Sequence, residues 1–154
     1  MTSTGRHLSP ATRTKVMRSI RSTDTKPELT VRRLLWSLGA RYRLHARELP
    51  GRPDIVMRRR KIAILVHGCF WHLHEGCPLA RIPRSQPDYW PTKLRKNKER
   101  DKANLATLTG MGWTVMVVWE CETACTEKLC RDLQNLLDSS NRFERIDAFR
   151  PTLP

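Results

Sequence analysis

The chain is poor in long apolar runs. Its longest aliphatic stretch is the five residues Ile62–Val66, far short of the roughly 20 residues that a membrane-spanning helix needs. The opening "MTSTGRHLSP" lacks the apolar core of a secretory signal. Acidic residues are scarce, 15 against 29 lysines and arginines, giving a net charge of +14 and implying a polyanionic partner. No stretch joins a basic face to a long apolar one, which disfavours membrane binding. Five cysteines do not make the even framework of a small secreted protein. Reduced thiols in a cytoplasmic protein, some of them metal ligands, are expected instead. There is no internal repeat and no low-complexity segment. What remains is 154 residues with a hydrophobic fraction of 39%, enough for one core.

The expected organisation is a disordered start (1–9), one domain over 10–140 and a loose tail (141–154). Residues 10–20 suit a short basic helix with Val16, Met17 and Ile20 on one side. "TDTKPELTVRRLLWSLG" is a clearer helix. Thr25 and Glu28 form a T-x-x-E capping box, Pro27 fits the first turn and Gly39 follows the end. Leu34, Leu35 and Leu38 supply its apolar stripe. Strands are expected near Tyr42–His45, Ile55–Met57, Lys61–Val66 and Trp113–Trp119, the third being central because it is aliphatic on both faces. A basic helix opening at Pro91 and a last helix over about 126–138 complete the order α-β-β-β-α-β-α. That order is an α/β fold, a mixed sheet flanked by helices.

The chemistry gathers in "HGCFWHLHEGC", residues 67–77. Cys69, His74 and Cys77 offer three ligands for Zn²⁺, which takes four in a closed structural site. Cys121 is the expected fourth, because it follows a buried strand much as Cys69 does. Cys125 is its nearest rival, and Cys130 suits an ordinary core thiol. His67 and His72 are left over beside the metal loop. Asp54, in "GRPD", is the candidate carboxylate for Mg²⁺; Glu28 is a second acid whose capping role explains it equally well. Phe70 and Trp71, held rigid by such a loop, could wedge between base pairs, with Trp90 joining them. Trp36, Trp113 and Trp119 read as core. The basic helix offers Lys93, Lys96 and Arg100 to phosphates, although part of that face is expected to be simply solvated.

With these residues in view, the sequence resembles the very-short-patch-repair (Vsr-type) DNA mismatch endonucleases. The resemblance runs through "MRSIRSTDTKPE", "LPGRPDIV", "VHGCFWHLH", "DYW", "KNKERDKAN" and "GWTVMVVWEC", in that order, over roughly residues 12–121. It implies a restriction-endonuclease-like fold and a monomeric enzyme that nicks double-stranded DNA 5′ to the thymine of a T:G mismatch left by 5-methylcytosine deamination. Mismatch-repair proteins and a DNA polymerase would act downstream. It implies Asp54 as the Mg²⁺ carboxylate, His72 as the essential histidine, His67 as a second, and Glu28 as an acid near the site. The Val66 backbone carbonyl would join Asp54 on Mg²⁺. Cys69, His74, Cys77 and Cys121 match zinc ligands. Phe70, Trp71, Trp90 and Met17 match residues inserted into DNA. Against the restriction-type pattern, Leu65 stands where a second acid would be and His67 where a lysine would be, a departure shared with the repair family. Glu75-Gly76 lengthens the His74–Cys77 spacing by one residue relative to some relatives. Two other readings fit part of the pattern: a non-catalytic zinc-organised DNA-binding module, and an ordinary double-strand restriction enzyme.

Overall fold

The computed structural model describes residues 23–84 and 86–147, the last seven of these as helical backbone only. Met17 and the helix expected over 10–20 lie outside the described residues.

Helix α1 (Lys26–Ser37) starts where its cap residues dictate. The Thr25 hydroxyl accepts from the Glu28 N–H, and the Glu28 carboxylate reaches back to the Asp24 N–H, one residue earlier than the usual capping box. Then come β1 (Arg43–Leu44), β2 (Ile55–Met57) and β3 (Ile62–His67), followed by α2 (Tyr89–Gly110), β4 (Thr114–Trp119) and α3 (Thr126–Asp147). Helix α2 begins two residues before Pro91, and α3 runs beyond the end expected near residue 138. The four strands form one sheet in the order β1-β2-β3-β4. The first two pairings are antiparallel and β3–β4 is parallel, with α2 as the crossover that a parallel pair requires.

Strand alternation divides the core into two layers. Ile62 and Ile64, with Ile55 and Met57, pack on Val31 and Leu35 of α1 and on Leu129, Leu133 and Leu137 of α3. Ala63, Leu65 and Val56 face the other way, onto Leu108 of α2 and Trp113. β3 is buried along almost its whole length. β4 is the edge strand and only Val118 is fully buried, so the expectation of a second buried strand does not hold. Trp36 is not core either: it is 76% exposed, because it lies on the outer face of α1 with Leu29, seven residues earlier. Within the basic turn, Arg60 is structural, donating to the Leu137 carbonyl at 3.0 Å. No helix among the described residues is long and apolar enough to cross a membrane.

Candidate active site and metal centre

The His and Cys side chains gather where the two parallel strands, β3 and β4, end. Their register pairs Val66 with Val118 and His67 with Trp119. Continuing that register by two residues brings Cys69 towards Cys121. The loop after β3 is folded tightly by its own backbone: His72 N–H donates to the Gly68 carbonyl and His74 N–H to the Cys69 carbonyl. Leu73 and Gly76 take positive φ, 49° and 70°, and Cys77 beyond them stays within the cluster.

Cys69, His74, Cys77 and Cys121 each place a donor atom within 4.8 Å of all the others. His74 Nδ1 lies 3.5 Å from Cys69 Sγ and 3.4 Å from Cys121 Sγ. Tetrahedral zinc, with Zn–S near 2.3 Å and Zn–N near 2.0–2.1 Å, would set S and N about 3.6 Å apart. One imidazole nitrogen so placed between two sulphurs matches the spacing that a shared cation would impose. The donor set therefore fits a closed metal centre. Cys69 is fully buried; without a cation, burial chiefly pushes its thiol up to about 12, with the neighbouring thiols adding to the rise. A bound metal reverses this by deprotonating the sulphur. Cys125 is exposed and does not join the group.

The other two histidines of the loop are stacked. The His67 and His72 rings lie 3.8 Å apart and 7° from parallel. His72 Nδ1 is 2.5 Å from Asp101 Oδ2 on α2. A carboxylate at that nitrogen holds the proton on Nδ1 and leaves Nε2 as the base. Asp101 is the residue that sequence reasoning missed. It sits within "KNKERDKAN", where it reads as one more charge on a basic helix, and its meaning comes from α2 packing over the end of β3. His67 is pushed down to about 4 by burial and then by His72, against an opposing pull from Asp101; it is a neutral ring at pH 7.

Asp54 sits at the other side of the β2–β3 hairpin. Its Oδ2 accepts from the Val66 N–H at 2.7 Å, placing the carboxylate one residue from His67. Burial, the largest influence, raises its pKa; the Val66 bond opposes this, Glu28 adds to it, and His45 and Arg32 counter it. The antiparallel register Ile55–Ile64, continued by two residues, sets Val66 opposite Pro53. Proline has no N–H to donate, so the ladder gives the Val66 carbonyl no partner from that strand. A carboxylate beside the Val66 peptide suits a hard cation. Both Glu28 oxygens are engaged within the protein: Oε1 accepts from the Thr25 hydroxyl and Oε2 from the Asp24 N–H and Arg32. Arg32 also bonds Asp24 at 2.6 Å and reaches His45 Nε2 at 3.1 Å.

The aromatic group differs from expectation in one respect. Phe70, Trp71 and Trp90 do cluster, with centroids 5.0 to 6.1 Å apart. Trp90, however, is only 8% exposed; it is the floor beneath Phe70 and Trp71 rather than a projecting ring, because it lies in the first turn of α2 facing the loop. Tyr89 is the exposed neighbour. Asn97 ties the Trp71 carbonyl to α2 at 3.2 Å. Lys93, Lys96 and Arg100 lie on the exposed face of the same helix. Lys98 is paired with Glu75 of the metal loop.

Comparison with known proteins fits this geometry. A family model described as DNA mismatch endonuclease Vsr matches residues 6–78. The chain is 47% identical over 133 residues to the type II nicking enzyme V.XorIIP of Xanthomonas oryzae, covering 86% of this chain and 97% of that protein. It is 42% identical over 131 residues to the type II nicking enzyme V.NmeAIP of Neisseria meningitidis, covering 82% and 93%. It is also 42% identical over 119 residues to the DNA mismatch endonuclease Vsr of Escherichia coli, covering 77% and 76%. By its similarity to these relatives, the chain belongs to the Vsr family of DNA mismatch endonucleases.

Proposed function

We propose that this protein is a Mg²⁺-dependent endonuclease that nicks duplex DNA 5′ to the mismatched thymine of a T:G pair arising from 5-methylcytosine deamination. It would act in the bacterial cytoplasm as a monomer, ahead of repair synthesis by other proteins. The observation that carries the reading is the arrangement at the end of β3. An aspartate is bonded to the Val66 N–H, and the next residue of the strand, His67, is stacked on His72, which is aligned by Asp101. A DNA-binding module without catalysis needs neither the Asp54–Val66 pair nor an imidazole oriented by a carboxylate.

The roles follow from position. Asp54 and the Val66 carbonyl would hold Mg²⁺, which supplies stabilisation of the charge that builds on the phosphate and the leaving oxygen. His72, with its Nε2 turned away from Asp101, takes the proton from the attacking water, a contribution of roughly 10²–10⁴-fold. Asp101 is a positioning residue that sets the His72 tautomer. Neutral His67 donates a hydrogen bond to a phosphate oxygen. Glu28 acts indirectly, capping α1 and fixing Arg32 near Asp54. The Cys69–His74–Cys77–Cys121 centre, filled by Zn²⁺, holds the loop so that Phe70 and Trp71 can enter the helix beside the mismatch, supported by Trp90 and with Met17 as a further inserted residue. Lys93, Lys96 and Arg100 contact phosphates.

The test is a nicking assay on T:G and C:G duplexes in parallel, with Mg²⁺ and with EDTA. Selective, Mg²⁺-dependent nicking of the thymine strand of the T:G duplex is expected. Binding without cleavage would favour the non-catalytic module, and cutting of both strands of matched DNA would favour a restriction enzyme.

A further inference from the structure

We propose that Trp119 is a positioning residue for catalysis: its ring transmits the geometry of the Cys–His metal centre to His67, and through His67 to His72. The inference rests on the nicking reading above and adds to it a coupling between two sites that otherwise look independent.

Four rings form one connected assembly. His74, the imidazole of the metal centre, lies flat on Trp119 with centroids 4.1 Å apart and 3° between planes. Trp119 meets His67 edge to face at 5.4 Å and 76°. His67 in turn lies flat on His72. The two ends of the assembly are anchored, His74 among the thiols and His72 by Asp101. The middle is not: among the described residues, the His67 side chain has ring contacts and no hydrogen bond. Its orientation is therefore set by packing alone, between the face of His72 and the near-perpendicular ring of Trp119.

The sheet explains why Trp119 can do this. His67 and Trp119 are register partners in a parallel pair, so both side chains leave the same face at the same height. The backbone of Trp119 is held by Glu122, whose Oε2 accepts its N–H at 2.8 Å. Two residues later comes the ligand Cys121. An indole is large enough to stack on one imidazole and meet another at a near-right angle. A benzene ring offers less area for each contact, and an aliphatic side chain supplies volume without planar order. Rotation of His67 would release the stacked His72, whose Nε2 must meet the attacking water within hydrogen-bond reach.

The test uses the full chain with its metal, comparing Trp119→Leu and Trp119→Phe with the parent. Four properties are read: single-turnover nicking at saturating T:G duplex, duplex affinity without added Mg²⁺, the absorption bands of the Co²⁺-loaded protein, and the imidazole NMR signals of His67 and His72. Trp119→Leu should slow the single turnover by roughly 10- to 100-fold, the scale of a small misplacement of a reacting group. Duplex affinity and the cobalt bands should stay as in the parent, the imidazole signals should move, and Trp119→Phe should recover much of the rate. An unchanged rate in Trp119→Leu overturns the proposal. So does a rate loss accompanied by altered cobalt bands, since Trp119 is then merely a wall of the metal centre. If the leucine variant does not fold, the phenylalanine variant decides, with a partial rate loss at unaltered cobalt bands expected and parental rate or altered bands refuting. A parent that never nicks T:G duplexes, while the imidazole signals still respond to Trp119→Phe, would fault the nicking reading and leave the ring coupling standing.

Discussion

Two clusters of ligand-type side chains, one of carboxylates with a histidine and one of thiols with a histidine, are satisfied in opposite ways. Asp24, Glu28 and His45 bring their donor atoms within 4.8 Å of one another, as Cys69, His74, Cys77 and Cys121 do. In the first, a guanidinium is already present: Arg32 bonds all three residues. In the second, among the described residues, no side-chain cation stands among the thiols, and the His74 ring has one nitrogen at hydrogen-bonding distance from two of them. Proximity of ligand-type residues is therefore a weak guide to metal binding; what matters is whether the protein carries its own counter-charge. By this comparison the thiol cluster is the one whose donor set could hold a metal, and the other is an internal ion-pair network.

The sharpest way to break that contrast is to remove the thiol cluster's cation. Cys121→Ala, or prolonged chelation of the parent, should abolish measurable nicking and release the 68–77 loop, while the sheet and helices persist in far-UV circular dichroism. Metal analysis should fall from one tightly bound ion per chain to none. Retention of full activity by the metal-free protein would show that the loop is held by packing alone. Next in size are the groups that the loop delivers. His72→Ala and Asp101→Asn should each lower the single-turnover rate on the order of 10²–10⁴-fold with little change in duplex affinity. The two losses should not add, because both remove the same oriented base. Additive losses would separate Asp101 from His72.

The guanidinium cluster predicts a different response. Arg32→Ala leaves the buried Glu28 carboxylate without its partner, and loss of one member of a buried pair costs about 3–5 kcal/mol of stability. Arg32 and Glu28 are 11% and 4% exposed at the side chain, so solvent does little to soften the cost. The double variant Arg32→Met, Glu28→Gln should recover part of the loss in thermal unfolding. Equal stability of Arg32→Ala and the parent would mean that the network is decorative, and would reopen that cluster as a metal site.

How much of this was legible beforehand follows from how local each signal is. The cap of α1, the aliphatic β3 and the crowding of Cys and His in residues 67–77 are short-range patterns, readable without coordinates. The fourth thiol was reachable by one step of topology, since two parallel strands that end together bring Cys69 and Cys121 together. Asp101 was not legible because its partner is 29 residues away and the charges around it read as a solvated face. Arg32 was hidden similarly, as an ordinary i,i+4 partner of Glu28. Trp36 misled because an indole in an amphipathic helix reads as core until the burial of Val31 and Leu35 fixes which face turns inward. Trp90 misled in the other direction, since an aromatic beside a basic run suggests contact with DNA, whereas here it floors the cluster that Phe70 and Trp71 complete.

The smallest effect expected is on discrimination, and it tests what the metal-held loop is for. If the loop merely positioned His72, truncating a ring beside it would change the rates on T:G and C:G duplexes alike. Trp71 is tied to α2 through its carbonyl and Asn97, and it packs on Phe70 and Trp90 rather than on the sheet core. A ring so held can be driven between base pairs without the loop yielding. Parting an intact step costs on the order of a few kcal/mol, and a mispaired step costs less. That difference is read by whatever does the parting. Trp71→Ala should therefore bring the two nicking rates closer together, mostly by slowing the T:G reaction. Trp71→Phe should keep more of the ratio than alanine does, because a smaller ring still parts the step. Measured as the T:G to C:G ratio of single-turnover rates, an unchanged ratio in Trp71→Ala would move the source of discrimination away from the loop.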